Sequence, residues 1–167
     1  KIQSPLRMLE EGLKHTQKVY DGVKEFTNLV KKDVQLNKQP HNLGGILENY
    51  LSSTSYKSQI VIDQLPTIKV NEPLFCTAID NLIRNGLKYN DSSTKCVMLF
   101  MEDDNTFCVQ DNGRGITQQE FLGLSEPYTR KQGQIEDGSG LGLNICKAIL
   151  TEHGFTITAE KLTKGTK

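Results

Sequence analysis

Apolar residues follow a helical spacing through the first 30 positions of the chain. Consecutive members of this stripe are three or four residues apart: Leu6, Leu9, Leu13, Thr16, Tyr20, Val23, Thr27 and Val30. The spacing is the a/d pattern of one long helix, with Ser4 as its cap and Pro5 in its first turn. Gly12 and Gly22 each weaken such a helix by about 1 kcal/mol relative to alanine, so it needs a packing partner. Two arrangements stay open: half of a helical hairpin or dimer-forming arm, or a helix packed on its own domain.

After Pro40 the pattern changes to short elements of both kinds. Helices are predicted over residues 43–50, from Pro73 to Leu87, after the capping box at 117–120 and over 143–151, and strands at 59–63, 67–70, 95–102, 106–110 and 155–160. Residues 125–141 have weak periodicity and many glycines, which is typical of a mobile loop. This order predicts an α+β two-layer sandwich, with a mixed β-sheet covered on one face by helices and preceded by the long N-terminal helix.

Charge and composition exclude several classes of function. Twenty basic and twenty acidic residues give the 167-residue chain a formal net charge of zero, so it has no global field with which to hold a nucleic acid. No apolar run approaches the roughly 20 residues that span a bilayer. We therefore expect no nucleic-acid partner and no membrane contact from these residues. Four widely spaced cysteines lie in apolar runs, which favours buried thiols in a reducing compartment over a metal site or a disulfide: Cys76, Cys96, Cys108 and Cys146.

Glycine and polar residues mark where the chemistry is expected. Seven of the 14 glycines lie in the 30 residues from 113 to 142. In the helix after Pro73, the side chains of Asn81, Asn85 and Lys88 are spaced i, i+4 and i+7 and so share one face. Two amides and an ammonium in an otherwise apolar helix are expensive unless they bind something. Amide oxygens suit magnesium, and a lysine suits phosphate.

Two further segments add ligand-binding chemistry. Asp111 ends an apolar strand and enters a turn in which Gly113 and Gly115 permit close backbone approach, so its carboxylate can accept a hydrogen bond from an exocyclic amine. The glycine run at 138–142 leads into the N-terminus of an apolar helix, which favours phosphate. Each signal alone is weak, since it also fits a surface turn, a flexible linker or a solvated helix edge. The P-loop pattern and the G-x-G-x-x-G pattern are both absent.

Together, in this order, the three segments resemble the ATP-binding domain shared by sensor histidine kinases, gyrase, heat-shock chaperones and mismatch-repair ATPases, the GHKL superfamily with its Bergerat-type fold. The resemblance runs from about Asn42 to Thr166 and includes the element at 126–128. It implies one domain boundary, with residues 1–39 as a partial dimerisation helix and linker and residues 40–167 as the ATP-binding catalytic domain. The cofactors that it implies are ATP and Mg²⁺.

The same resemblance implies roles for individual residues. Asn85 would coordinate magnesium with help from Asn81, and Lys88 would meet the phosphates. Tyr89 would pack on the adenine, and Asp111 would accept from its amino group. The remaining implied ligand contacts are Gly113, Gly115 and Ile116 around the base, Gly138, Ser139, Gly140, Leu141, Gly142 and Leu143 around the triphosphate, and Arg130 and Lys131 in a lid over residues 125–141.

One position separates the branches of this superfamily. The gyrase-like ATPases carry a glutamate four residues before the magnesium asparagine as a general base for water. That position is Asn81 here, which cannot accept a proton at neutral pH, and Asp80 is rotated by about 100° around the helix. The resemblance therefore favours a protein-histidine kinase, in which Asn81, Asn85 and Lys88 serve transfer of the γ-phosphate to a histidine and then to a response-regulator aspartate. A gyrase- or chaperone-like ATPase and a non-catalytic nucleotide-binding regulator are the alternatives.

The phospho-accepting histidine is not found by its family motif, H-[ED]-x-x-x-P. We expect His15 on a solvated helix, His41 in a linker and His153 in a helix C-terminal turn, where the helix dipole favours a histidine. Residues 2–6 look like the tail of the motif, so the acceptor is expected outside an excised part of a longer protein. The implied partners are a second copy, held through the N-terminal helix, and a response-regulator receiver domain. The implied location is the cytoplasm, alone or as the cytoplasmic part of a membrane-bound sensor.

Overall fold

A computed structural model of the chain describes residues 35–124 and 143–167, together with the helical positions 9–10, 13–14, 17, 20–21, 24 and 26–28. The predicted cap at Ser4 and the predicted loop at 125–141 lie outside these residues. The elements in chain order are β1 (Gln39–Asn42), α1 (Leu43–Leu51), a 3₁₀ turn (Lys57–Gln59), β2 (Ile60–Ile62), β3 (Thr67–Val70), α2 (Glu72–Lys88), β4 (Val97–Asp103), β5 (Thr106–Asp111), α3 (Gln118–Leu124) and α4 (Leu143–Glu152).

The strands form two small sheets. In the first, β4 lies between β2, which is parallel to it, and β5, which is antiparallel to it, so the predicted mixed sheet is confirmed. In the second, β1 pairs antiparallel with β3. The strand β1 was not predicted, and His41, expected in a linker, lies in it opposite Ile68. Its side chains do not alternate between buried and exposed, and Pro40 is tolerated because the ribbon leaves it on an edge strand.

The helix α2 forms the centre of the core. The Asn71 side chain caps it by accepting a hydrogen bond from the Leu74 amide at 3.2 Å, and Pro73 occupies its first turn. Ile79 and Ile83 of α2 are buried together with Val97 and Leu99 of β4, whereas Met98 between them is 42% exposed. The helices therefore cover one face of the mixed sheet, which confirms the two-layer arrangement.

The N-terminal helical positions present part of the predicted stripe to solvent. Leu9, Leu13 and Tyr20 are 62%, 63% and 61% exposed, respectively. Phe26, in contrast, is 6% exposed and belongs to the core cluster of the domain. The helix thus contacts the domain through Phe26 and leaves apolar side chains uncovered nearer its start. The proposed boundary at residue 39 stays a prediction.

The predicted final strand at 155–160 is wrong. Its side chains do alternate between half-buried and exposed, but no ladder of backbone hydrogen bonds accompanies them. The Ala159 amide instead donates to the Gln118 side chain of α3. The chain then turns back on itself, because Glu160 and Lys167 exchange backbone hydrogen bonds at 2.7 and 2.9 Å around a bridge between Lys161 and Thr166. Alternating burial shows only that one face of a segment is covered, whereas a β-strand also needs a neighbouring strand with which to exchange backbone hydrogen bonds.

The four cysteines are free thiols. Cys76, Cys108 and Cys146 are buried free thiols, as predicted, while Cys96 is half-buried. Burial raises the pKa of Cys146 to about 12, and its Sγ donates to the Ala78 carbonyl of α2 at 3.3 Å.

In the described part of the chain, none of the helices has the length and apolarity of a membrane-crossing segment.

The ring of His153 connects the end of α4 to the start of α2. Its Nδ1 bonds to the Ile149 carbonyl at 2.7 Å, and its Nε2 accepts from the amide of Asn71, the cap of α2, at 3.0 Å. The imidazole is therefore the neutral Nδ1–H tautomer. The helix-dipole interpretation is corrected, because burial lowers the pKa of His153 and the side chain is 5% exposed.

Protonation of His153 should destabilise the fold. A folded-state pKa below the ordinary value of 6.5 means that the unfolded chain takes up the proton first. The contribution of His153 to the free energy of unfolding is therefore complete above pH 6.5. It is lost as the pH falls from 6.5 toward the lowered pKa of His153 in the folded state. Nearby Lys38 pushes the pKa down and Glu152 pushes it up. Urea unfolding at pH 5.5 to 7.5 should show this loss in the wild type and a flatter profile in His153→Gln, which keeps an acceptor but does not titrate.

The matched control is His41→Gln, the same substitution at a half-buried histidine in β1. This variant should keep the pH dependence of the wild type. Parallel profiles for the wild type and His153→Gln would contradict the prediction.

Candidate functional site

A cavity of about 1030 Å³ lies between α2, β5 and the segment after α4. Its walls include half-buried apolar side chains, such as Phe107 of β5 and Ile157, and a rim of polar groups. The predicted site residues that line it are Asn85, Lys88, Tyr89, Asp111, Gly115, Ile116 and Leu143. Residues from three separate parts of the sequence therefore meet at one cavity.

The polar stripe of α2 runs from the core to the rim. Asn81 is 3% exposed, Asn85 is half-buried and Lys88 is exposed. The ammonium of Lys88 lies 5.4 Å from the centre of the Tyr89 ring. Asn85 and Lys88 are at the cavity, whereas Asn81 lies one turn deeper in the protein and is not part of the cavity wall. Outward along the stripe, the side-chain amides of Asn81 and Asn85 are thus followed by the ammonium of Lys88.

Asp80 points away from this stripe, as its rotation around the helix predicts. It is 1% exposed and accepts a hydrogen bond from the Tyr56 hydroxyl, in the segment between α1 and β2. Burial raises the pKa of Tyr56 well above its usual range, and the nearby Asp80 carboxylate raises it further. Asp80 is therefore a structural hydrogen-bond acceptor that does not line the cavity.

Asp111 ends β5 with a half-buried carboxylate. Its Oδ1 accepts from the amides of Gly113 at 2.8 Å and Thr166 at 3.3 Å. Burial raises the pKa of Asp111, and these two amides act in the opposite direction. Within the described residues both hydrogen bonds to the carboxylate end on Oδ1, while Oδ2 lies beside Gly86 of α2.

The two glycines after Asp111 are both at points of close approach. A Cβ on Gly113 would lie 3.0 Å from the Asn90 Cα and 3.2 Å from the Tyr89 carbonyl oxygen. Gly115 has a φ of +80°, and a Cβ there would lie 2.5 Å from the Gly165 carbonyl oxygen. Both contacts are with backbone, which cannot move aside as a side chain would.

Sequence reasoning missed the part that the C-terminal residues play at this site. Thr166 accepts from the Asp111 amide through its carbonyl at 2.9 Å and from the Ile116 amide through its hydroxyl at 2.8 Å. Gly165 has a φ of +101°, and a Cβ there would lie 1.8 Å from the Asp111 carbonyl oxygen. Gly165 and Thr166 are visible in the sequence as a glycine–threonine pair, but no local sequence pattern connects them to the distant turn at residues 111–115.

Most residues predicted to meet the phosphates lie outside the described part of the chain: Arg130, Lys131, Gly138, Ser139, Gly140, Leu141 and Gly142. Leu143, the first residue of α4, is described and lines the cavity. The roles predicted for all of these residues, and for those on α2 and at Asp111, stay predictions.

Known proteins share this fold and sequence pattern. The family of histidine kinase-, DNA gyrase B- and HSP90-like ATPases matches residues 70–167. Cyanobacterial phytochrome B of Nostoc sp. is 30% identical over 139 residues, which are 80% of this chain and 18% of that protein. The heme sensor protein HssS of Staphylococcus saprophyticus is 30% identical over 132 residues, 77% of this chain and 28% of that protein. The sensor protein QseC of Salmonella typhi is 31% identical over 99 residues, 59% of this chain and 22% of that protein.

Solved structures show the same fold at lower identity. The catalytic domain of histidine kinase ThkA superposes with a TM-score of 0.60 at 18% identity, over 78% of this chain and 91% of that one. Full-length ShkA in complex with AMPPNP gives a TM-score of 0.62 at 22% identity, over 98% of this chain and 37% of that one.

The three curated relatives are much longer than this chain, which spans 18% to 28% of their lengths. The family match itself covers more than half of the chain and contains the α2 stripe, the Asp111 turn and the C-terminal hairpin. The family predicted from the sequence motifs is thus confirmed, and the chain belongs to the histidine kinase-, DNA gyrase B- and HSP90-like ATPases.

Proposed function

We propose that the chain is the ATP-binding catalytic domain of a two-component sensor histidine kinase. It binds Mg-ATP and passes the γ-phosphoryl group to a histidine outside these residues, and thence to an aspartate of a response-regulator receiver domain. The observation that carries the proposal is one cavity that holds both the amide and ammonium of Asn85 and Lys88 and the half-buried carboxylate of Asp111. The sensor proteins among the relatives support it.

The base end of the nucleotide is assigned to Asp111. Two backbone amides hold its Oδ1, which leaves Oδ2 to accept from the exocyclic amine of adenine. Gly113 and Gly115 bring the backbone close to the base, and Ile116 forms part of the wall. Tyr89, at the rim, supplies a ring that packs on adenine.

The phosphate end is assigned to α2 and the start of α4. The described residues hold no cluster of three acidic, histidine or cysteine ligands, and the side-chain oxygens that we assign to a cation are those of amides. The oxygens of Asn85 and Asn81 are hard donors one helical turn apart and fit Mg²⁺, which keeps several ligands from water and substrate phosphate. Bound magnesium would neutralise phosphate charge. Lys88, Arg130, Lys131 and residues 138–143 would contact the phosphates.

Transfer to a histidine fits this site better than attack by water. Asn81 occupies the position at which gyrase-like enzymes carry their base, and an amide cannot accept a proton. The neighbouring carboxylate of Asp80 is engaged by Tyr56 on the other side of the helix. His153 is buried with both ring nitrogens hydrogen-bonded, so it is not available to accept phosphate. None of the three histidines of the chain lies in the acceptor motif H-[ED]-x-x-x-P, so we assign the phosphate acceptor to another part of the protein.

The proposed partners follow from the surface of the N-terminal helix and from the relatives. Exposed Leu9, Leu13 and Tyr20 provide an apolar stripe for a homodimer in the parent protein. The sensor-protein relatives point to a receiver domain as the next phosphate acceptor. We assign the domain to the cytoplasm, alone or as part of a membrane-bound sensor, with no nucleic-acid partner and no membrane contact of its own.

Asp111→Asn should weaken ATP binding severely. The amide replaces one acceptor oxygen by a donor that faces the donor of adenine, and the charge is lost. Loss of one hydrogen bond to a charged group costs about 1.5–3 kcal/mol, so the Kd measured by calorimetry should rise by about ten- to a hundredfold. The control is Asp103→Asn, the same change at the exposed far end of the β4–β5 hairpin. An unchanged affinity in Asp111→Asn would mean that the base pocket is misplaced.

Gly165→Ala should reduce both stability and ATP affinity. Its Cβ would lie 1.8 Å from the Asp111 carbonyl oxygen, so the hairpin and Asp111 would have to move apart, which weakens the hydrogen bond from the Thr166 amide to the Asp111 carboxylate. The control is Gly123→Ala in α3, because a Cβ there meets nothing within 4 Å and Gly123 does not line the cavity. Gly165→Ala also carries the conformational cost of its positive φ, about 1–2 kcal/mol, visible as a lower Tm. Only Gly165→Ala should lose ATP affinity, and equal ATP affinities in the two variants would disprove the role of this contact.

The activity itself is tested with ATP labelled in its γ-phosphate. The chain is incubated with and without an added histidine-bearing hairpin from the parent protein. Label on the hairpin, stable to alkali and labile to acid as a phosphohistidine is, supports the kinase. Rapid release of phosphate without any acceptor would instead identify an ATPase. Nucleotide binding with neither outcome would identify a non-catalytic regulator.

A further inference from the structure

Asn112 is the centre of a hydrogen-bond network that joins two walls of the cavity. Its Oδ1 accepts from the Asn90 side chain at 2.7 Å and from the Cys96 amide at 2.9 Å. Its Nδ2 donates to the Thr94 carbonyl at 2.8 Å, and its own carbonyl accepts from the Ser92 hydroxyl at 2.5 Å. One residue next to Asp111 thus holds four groups of the segment 90–96.

The segment that Asn112 holds has no regular structure to fix its position. It connects the end of α2 at Lys88 to the start of β4 at Val97 and contains neither helix nor strand. Its backbone donors and acceptors must therefore find partners elsewhere, and Asn112 supplies one for Cys96 and one for Thr94. A side-chain amide suits this position because its oxygen accepts from two groups while its nitrogen donates to a third.

The anchored segment follows directly after Tyr89, so the network holds the backbone beside Tyr89 against the Asp111 turn. Two independent contacts determine the spacing. Gly113 packs against the Tyr89 carbonyl and the Asn90 Cα, where a Cβ would come within 3.2 and 3.0 Å. On the other side of the same turn, Asn112 holds Asn90, whose side chain is 5% exposed and also accepts from the Ser92 amide at 2.9 Å. The packing of Gly113 limits how closely the two segments can approach, and the hydrogen bonds of the Asn112 side chain keep them from moving apart.

We propose that Asn112 is a positioning residue for base recognition. It holds the Tyr89 segment against the Asp111 turn, and it sets the discrimination between adenine and guanine by keeping the Asp111 carboxylate in place. Adenine presents an amino donor where guanine presents a carbonyl acceptor, so a carboxylate held in place accepts from adenine and repels guanine. The inference rests on the proposed nucleotide-binding function and deepens it.

The test measures the Kd values of ATP and GTP for the wild type and Asn112→Ala. We expect the Kd of ATP to rise about tenfold in the variant and the GTP-to-ATP ratio of Kd values to fall toward one. This ratio separates positioning from general destabilisation, because a reduced folded fraction raises the apparent Kd of both nucleotides by the same factor. The control is Asn49→Ala, on the exposed face of α1, which should leave both values unchanged.

A second variant covers the case in which Asn112→Ala folds poorly. Ser92→Ala removes one hydrogen bond of the network, to the Asn112 carbonyl, and leaves the amide in place. It should lower the GTP-to-ATP ratio in the same direction by about two- to threefold, as expected for one hydrogen bond of about 0.5 kcal/mol.

The outcomes distinguish this inference from the proposed function. A wild type that does not bind ATP would overturn both. A wild type that binds ATP, with an unchanged GTP-to-ATP ratio in both variants, would overturn the positioning role alone. A lower ratio in either variant, with Asn49→Ala like the wild type, supports it.

Discussion

The partial burial of the Asp111 carboxylate is the constraint on which the rest of the site depends. Removing a carboxylate from water is costly unless hydrogen bonds replace the water, and here two backbone amides do so. One comes from the turn just after the strand, and the other from Thr166, 55 residues further along the chain. The C-terminal hairpin therefore belongs to the candidate site as much as the D-x-G-x-G turn does. Gly115 and Gly165 are glycines because this hairpin lies against the turn at backbone distance.

Different sides of the helix α2 contribute to the core and to the candidate site. Ile79 and Ile83 are buried in the core, while Asn85 and Lys88 reach the cavity. Asp80 would be an unexplained buried charge in such a helix, but the Tyr56 hydroxyl engages it from the α1–β2 segment. Asp80 does not line the cavity, so α2 presents Asn85 and Lys88 there rather than a carboxylate.

The elements with a strong local pattern could be predicted from the sequence, and those that depend on distant partners could not. The helices and the β4–β5 hairpin agree with their predicted positions, because periodicity and capping residues such as Asn71 act within a few residues. The strand β1 was missed because it contains Pro40 and lacks alternation, and the strand at 155–160 was overpredicted because alternation says nothing about a partner. Thr166 and Asn112 were missed for the same reason, since their importance lies in contacts with residues 16 to 55 positions away.

The relative position of α2 and α4 at the candidate site depends on contacts that lie away from the cavity. The helices α2 and α4 are tied at two points: Cys146 donates to the Ala78 carbonyl near their middle, and His153 accepts from the Asn71 amide at the start of α2. Because α4 is rigid between these contacts, they also fix where its N-terminus at Leu143 points. Leu143 and Asn85 line the same cavity, so these contacts help to place the N-terminus of α4 beside an amide of α2. We therefore expect the neutral state of one buried imidazole to affect the candidate site at the other end of the helix pair.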